Sequence, residues 1–129
     1  MGAWGPGPFE NDDAMDFIGD LADGPTAELP DRLREALTLP EGYIESPEGA
    51  EAIAAAALVA ARQGYNPNDP TVSDLLAGHP FNPDEDLRSA AVAAIGRVSG
   101  SESELMELWD EAALRDSFEA ILTNVKTFL

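Results

Sequence analysis

The sequence predicts an all-α fold: a compact single-domain bundle of about five to six helices, with an ordered Gly/Pro-rich N-terminal arm. Helix-capping residues recur along the chain, and no run alternates β-branched with polar residues as a strand would. A chain of 129 residues can bury a core without disulfides, and this one contains no cysteine. We therefore expect one domain over residues 1–129, with the arm at 1–10 packed on its core.

Local sequence signals mark where the helices start and end. Asn11 is suited to cap the first helix, with Asp12 and Asp13 in its first turn. The other starts pair a capping residue with proline or with a carboxylate three positions later, at Ser46-Pro47, Asp69-Pro70, Asn82-Pro83 and Ser101 with Glu104. Glycines mark the ends at Gly64, Gly78 and Gly100. The resulting predicted helices are 12–23, 28–38, 47–63, 70–77, 84–98 and 102–128.

The helix predicted at 47–63 carries alanine on nearly every side. A helix that is apolar all round is buried on several faces, and small side chains let its neighbours approach closely. We therefore place it at the centre of the fold. The similar stretch SAAVAAIGRV, residues 89–98, is its expected packing partner.

The last predicted helix changes its apolar face near Arg115. Its first half places Leu105, Leu108, Trp109 and Ala112 on one face, and its second half places Leu114, Phe118, Ile121, Leu122 and Val125 on nearly the opposite face. Two interpretations fit this pattern: a break around residues 115–117, or one long helix that packs against different neighbours in its two halves. We favour the continuous helix.

The charge balance restricts the classes of partner. Twenty-five acidic residues against seven basic ones give a formal net charge of −18, which would repel the phosphates of nucleic acid. The same field would attract a basic protein. It also serves solubility alone, which is the simpler interpretation.

At helical spacing, Asp12, Asp13, Asp16, Asp20 and Asp23 share one face of the first helix. We call this set the aspartate face; Ala14, Phe17, Ile18 and Leu21 lie opposite. A solvated acidic face is the simplest interpretation, and a docking surface for a basic partner is the functional one. We predict no metal there, because carboxylates along a straight helix diverge instead of converging on one ion.

The arm places Trp4 and Phe9 among the glycines and prolines of MGAWGPGPFENDD. In the structural interpretation, Trp4 plugs a gap between helices and Phe9 packs against the first helix. In the functional one, the indole and the backbone at Gly5 and Gly7 line a binding groove, with Asn11, Asp12 and Asp13 at its rim.

These residues also resemble a known family. The opening is similar to the pattern G-x-W-G-x-G-x-F-x-N-D-x-A of the bacterial family called domain of unknown function 4259. The matching positions are Gly2, Trp4, Gly5, Gly7, Phe9, Asn11, Asp12 and Ala14. Pro6 stands where a threonine is expected, so no hydroxyl acts there. The resemblance implies a stand-alone bacterial domain and leaves its activity open.

No catalytic motif or cofactor site is predicted. His79, the only histidine, reads as a surface or capping residue that could pair with Asp84 or Asp86. The leading hypothesis is a non-enzymatic module that binds a basic protein, as an immunity protein neutralises a toxin. The alternatives are a small enzyme or ligand-binding protein with a pocket formed by the Trp4 arm and the first helix, and a structural homodimer formed through the Ala-rich helices or the second face of the last helix. Without a secretory signal or a membrane-spanning segment, a cytoplasmic location is expected.

Overall fold

A computed structural model describes residues 3–129, and Met1 and Gly2 lie outside the described residues. Within this range the chain forms seven α-helices and no β-strand, which confirms the all-α class and corrects the predicted number of helices. A single 3₁₀ turn, Thr26–Glu28, precedes the second helix. The helices are α1 (Asp12–Asp23), α2 (Leu29–Leu37), α3 (Ser46–Ala61), α4 (Pro70–Gly78), α5 (Glu85–Val98), α6 (Glu104–Glu111) and α7 (Arg115–Thr127).

Helix α3 lies at the centre of the fold, as its alanine content predicts. Residues 52–60 are all buried, and the helix packs against α1, α2, α5, α6 and α7. Its most extensive neighbour is α5, so the predicted pairing with residues 89–98 is confirmed. The alanines at residues 52–57 and 60 are buried against other helices of the same chain, whereas Ala93 of α5 is exposed.

Two of the predicted caps are confirmed. The Asn11 side chain accepts a hydrogen bond from Ala14 N at 2.8 Å, and Asp69 accepts one from Val72 N at 3.1 Å. Each bond satisfies a backbone donor that the first helical turn leaves free.

Three predicted caps are wrong because neighbouring residues take their place. Asp84, and not Asn82, caps α5 through Leu87 N. The buried Ser103, and not Ser101, caps α6 through Met106 N. Ser46 is already helical, and its own N–H donates to the Glu104 carboxylate at 2.7 Å. A tertiary contact causes two of these shifts. Ile44 forms an isolated parallel β-bridge with Ser103, and this pairing brings the starts of α3 and α6 together.

The favoured continuous last helix is also wrong. The chain leaves helical geometry at residues 112–114, slightly before the predicted position of a break. Ala113 has a φ of 59°, and Leu114 N donates back to Trp109 O at 2.9 Å, which closes the end of α6. The turn points both halves toward one core, where Trp109 lies 6.1 Å from Phe118 between ring centroids. The apolar face therefore changes near Arg115 because the chain changes direction between α6 and α7.

Candidate functional site

The basic side chains are largely engaged with their own chain. In residues 3–129 the ion pairs involve only Arg34 and Arg115, and they use four carboxylates: Asp31, Asp84, Asp110 and Glu119. Three further arginines donate to backbone carbonyls: Arg32 to Asp20, Arg62 to Leu76 and His79, and Arg97 to Pro40 and Gly42. Most of the 25 acidic residues therefore have no cationic partner in the described chain.

The aspartate face of α1 is exposed at all five positions, and Ala14, Phe17, Ile18 and Leu21 are buried opposite. The amphipathic split predicted for this helix is confirmed. None of the five carboxylates forms an ion pair with any residue between 3 and 129. Asp12 and Asp13 lie in the first turn, where the helix dipole favours negative charge.

A groove continues this negative surface across α1, α2 and α3. We call it the acidic groove; its volume is about 280 Å³, and its walls carry the carboxylates of Asp20, Glu35, Glu48 and Glu51. Phe17, Ala36 and Leu39 add an apolar lining. Burial raises the pKa of Glu51, and the nearby carboxylates of Asp13, Glu48 and Asp20 raise it further. Arg32 also lines the groove, and its guanidinium donates to Asp20 O at 2.9 Å. The carboxylates around Glu51 still repel one another, so a further cation placed beside Glu51 would relieve that repulsion.

The N-terminal arm closes into a loop over its own backbone. Ala3 pairs with Asn11, Trp4 N donates to Glu10 O at 3.0 Å, and Gly7 N donates to the Glu10 carboxylate at 3.0 Å. A Cβ on Gly5 would lie 2.5 Å from Glu10 Oε2, and one on Gly7 would collide with the same carboxylate. These atoms are the flexible end of an exposed side chain, so Glu10 could move aside, and the contact does not by itself require glycine at either position.

The two aromatic residues of the arm have opposite environments. Phe9 is buried in the main hydrophobic cluster, as the structural interpretation predicts. Trp4 is 61% exposed, so the prediction that it plugs a gap between helices is wrong. The backbone pairing of the arm turns the indole away from the core.

Trp4 borders a second groove, of about 360 Å³, which we call the Trp4 groove. Its other walls are the arm residues 7–10, the segment 65–69 after α3, and Ile121 of α7. The predicted rim of Asn11, Asp12 and Asp13 is not part of it; Asn11 and Asp13 instead border a smaller cavity of about 100 Å³ beside Trp109.

Residues 65–69 were not predicted to belong to a site. The stretch YNPNDP follows the end of α3, and its density of turn-forming residues is the signal that could have found it. Asn66 accepts a hydrogen bond from Asn68 N at 2.9 Å, and Asn68 has a φ of 52°. This tight turn holds Tyr65 and Asp69 at the groove.

His79 has a structural contact and lies beside neither of its proposed partners. Its Nε2 lies 3.0 Å from Gly24 O. Because a carbonyl only accepts hydrogen bonds, Nε2 is the donor in this contact. The contact ties the end of α4 to the end of α1.

Neither a metal-binding cluster nor a membrane-spanning helix occurs among residues 3–129. Between residues 3 and 129, no three or more His, Asp or Glu side chains are grouped so that they could hold a metal ion. No helix in the same range has both the length and the apolar character to cross a membrane.

The fold and its surface define a small, acidic, all-helical protein whose surface includes the acidic groove and the Trp4 groove. The chain belongs to the family described as Domain of unknown function (DUF4259), which it matches over residues 2–121. Comparison with curated proteins and with solved structures gave no match.

Proposed function

We propose that this protein is a non-enzymatic binding module for a basic protein, and that the aspartate face with the adjoining acidic groove forms the contact surface. The observation that carries the proposal is the separation of charge. Arginines are bound to the chain's own carbonyls and carboxylates, whereas the five aspartates of α1 face solvent without an ion pair in the described chain.

Electrostatics favour such a partner for two reasons. The net charge of −18 steers a cationic protein toward the surface and speeds its association. A lysine or arginine entering the acidic groove would also relieve the repulsion around Glu51, with Phe17 and Leu39 available to the aliphatic part of its side chain. Neutralisation of a toxin-like basic protein is one form of this function.

The experiment has two stages. The tagged chain is first used to capture proteins from a lysate of its source at low and then high salt, and each captured basic protein is purified. Its affinity is then measured by calorimetry against three forms of the chain: wild type, the aspartate-face variant Asp12→Lys/Asp16→Lys/Asp20→Lys, and the control Glu41→Lys/Glu102→Lys/Glu111→Lys.

The control changes the net charge by the same amount at exposed residues outside α1 and the acidic groove. We expect the aspartate-face variant to bind at least about tenfold more weakly, and the control to change affinity by less than about threefold. Raising the salt concentration should weaken wild-type binding steeply. Equal losses in both variants, or binding that does not depend on salt, would reject the proposed surface.

Ligand binding at the Trp4 groove is the second candidate, because an exposed indole borders a concave surface there. The groove is lined by two aromatic rings and two carboxylates, a combination that suits binding of a cationic or polar ligand.

A further inference from the structure

The Trp4 groove combines an exposed aromatic surface with negative charge. Trp4 and Tyr65 line it together with the carboxylates of Glu10 and Asp69, and none of its lining residues is basic. Indole is the best of the aromatic side chains at attracting a cation over its face. The groove therefore contains both of the groups that recognise an organic cation.

Trp4 is the aromatic member of the opening motif that does not pack in the core. By contrast Phe9 and Ala14 are buried and Asn11 caps α1. The indole is 61% exposed, at a cost in hydrophobic free energy that burial would have avoided. Here the indole lines a concave groove, and ligand pockets are lined mainly by apolar and aromatic side chains with a few well-placed polar groups.

The two carboxylates are held in place by backbone donors. Glu10 Oε1 accepts from Gly7 N at 3.0 Å, and Asp69 Oδ1 accepts from Val72 N at 3.1 Å. The second oxygen of each forms no hydrogen bond within the described chain. Each carboxylate is thus fixed through one oxygen and offers the other to a donor, so little ordering free energy is lost on binding.

The carboxylate of Glu10 also acts on Tyr65. Burial raises the pKa of Tyr65, and the negative charge of Glu10 raises it further. With its pKa raised above the ordinary 10.0, the phenol stays protonated at neutral pH, and it adds a neutral aromatic wall to the groove instead of a third negative charge beside Glu10 and Asp69.

We propose that the Trp4 groove binds an arginine side chain of the basic partner, with the guanidinium stacked on the Trp4 indole and its N–H groups donating to Glu10 and Asp69. This inference rests on the proposed function. The flat, weakly hydrated guanidinium has five N–H donors and stacks on aromatic rings, whereas the compact ammonium of lysine keeps its water more strongly. A volume of about 360 Å³ is near the lower end for ligand pockets and suits one side chain with its adjoining backbone.

The test needs no partner protein. Acetyl-arginine amide is titrated into the ¹⁵N-labelled chain, and the indole N–H signals of Trp4 and Trp109 are followed with the backbone signals of residues 65–69 in two-dimensional NMR spectra. Acetyl-citrulline amide, which has nearly the same shape without the charge, is the matched ligand control. Nα-acetyl-lysine amide, whose side-chain ammonium is free, and methyl glucoside are titrated in parallel.

We expect arginine to shift the Trp4 indole and the 65–69 signals together, with the Trp109 indole unmoved because that side chain is buried. Citrulline should bind at least about tenfold more weakly, since it lacks the charge that the carboxylates recognise. Lysine should bind more weakly than arginine.

Variants of the protein test whether arginine binds at the Trp4 groove. Trp4→Ala should weaken arginine binding about fivefold, and Trp4→Phe should restore part of the loss. Glu10→Gln keeps an acceptor for Gly7 N but removes the charge, so it should weaken binding as well. Tyr43→Ala removes the other exposed aromatic ring, which lies outside the groove, and should leave the binding constant unchanged.

Three outcomes would overturn the proposal: equal shifts with citrulline, shifts with methyl glucoside and none with arginine, or full binding by Trp4→Ala. Failure of this inference and failure of the proposed function are distinguishable. If the aspartate-face variant loses the basic partner while arginine leaves the groove signals unmoved, the proposed function stands and this inference falls. If arginine binds and no basic partner exists, the groove is an arginine site and the proposed function falls, together with the assignment of the arginine to a basic partner.

Discussion

Helices α3 and α6 end in the same way but with different residues. In α3, Gly64 has a φ of 110°, Gly64 N donates to Ala61 O and Tyr65 N to Ala60 O. In α6, Ala113 has a φ of 59°, Ala113 N donates to Asp110 O and Leu114 N to Trp109 O. Both sets of bonds form a Schellman motif, in which one residue in the left-handed region reverses the chain.

The difference shows which helix-ending turns can be predicted from the sequence. Glycine adopts a positive φ at no steric cost, so Gly64 was visible as the end of α3. Alanine in the left-handed region carries a penalty of about 1–2 kcal/mol, which packing around α6 and α7 must offset. That packing includes the contact of Trp109 with Phe118, which a continuous helix would separate.

The largest expected effect is that of Gly64→Ala. An added Cβ would meet only Phe128 at an ordinary 3.7 Å, so the cost comes from the backbone conformation. We expect the free energy of unfolding to fall by about 2 kcal/mol, measured by urea denaturation. The Tyr65 wall of the Trp4 groove should shift as well, because Tyr65 is the next residue.

Gly19→Ala provides the matched control for Gly64→Ala. Gly19 lies within α1, its added Cβ would meet nothing within 4 Å, and its φ is not positive. The same chemical change should therefore stabilise the protein by about 0.5–1 kcal/mol. Destabilisation of similar size at both positions would contradict the backbone explanation.

Exchanging the two residues should have an intermediate effect. The double variant Gly64→Ala/Ala113→Gly moves the glycine from one helix end to the other. Since the two ends share no hydrogen bond, their effects should add within about 0.5 kcal/mol, for a net loss of about 1 kcal/mol. Urea denaturation of both single variants and the double variant tests this sum, and a larger deviation would show that the ends are coupled through the core.

Ala113→Gly alone should have the smallest effect, and it should be favourable. Relief of the left-handed penalty exceeds the extra freedom that glycine gives the unfolded chain, so we expect a gain of about 0.5–1 kcal/mol in the free energy of unfolding. Ala120→Gly, at an exposed position inside α7, is the control and should lose about 1 kcal/mol. A loss at both positions would mean that Ala113 does not hold a left-handed conformation in solution.

Much of the fold could be predicted because its signals are local. The bounds of α1, its Asn11 cap and the burial of Phe17 and Ile18 follow from adjacent residues and from helical spacing. The cap at Ser103 could not, because it depends on the bridge to Ile44, a residue nearly sixty positions away.

The candidate sites divide along the same line. The aspartate face was predicted from the helical spacing of its residues alone. The acidic groove depends on where α2 and α3 pack, which brings Glu51 near Asp13 and Asp20. The Trp4 groove depends on residues 65–69 meeting the arm, a contact between two segments about sixty positions apart.

The sequence alone determined the helical class, the central place of the alanine-rich helix, the family and the acidity of the surface. These properties follow from composition, from helical periodicity and from side chains that bind their own backbone within a turn. Only the tertiary structure decided that the last segment reverses at Ala113, that Trp4 faces solvent and that two grooves receive their carboxylates from separate segments. Such features depend on the balance between local strain and distant packing, and that balance is set only when the segments meet.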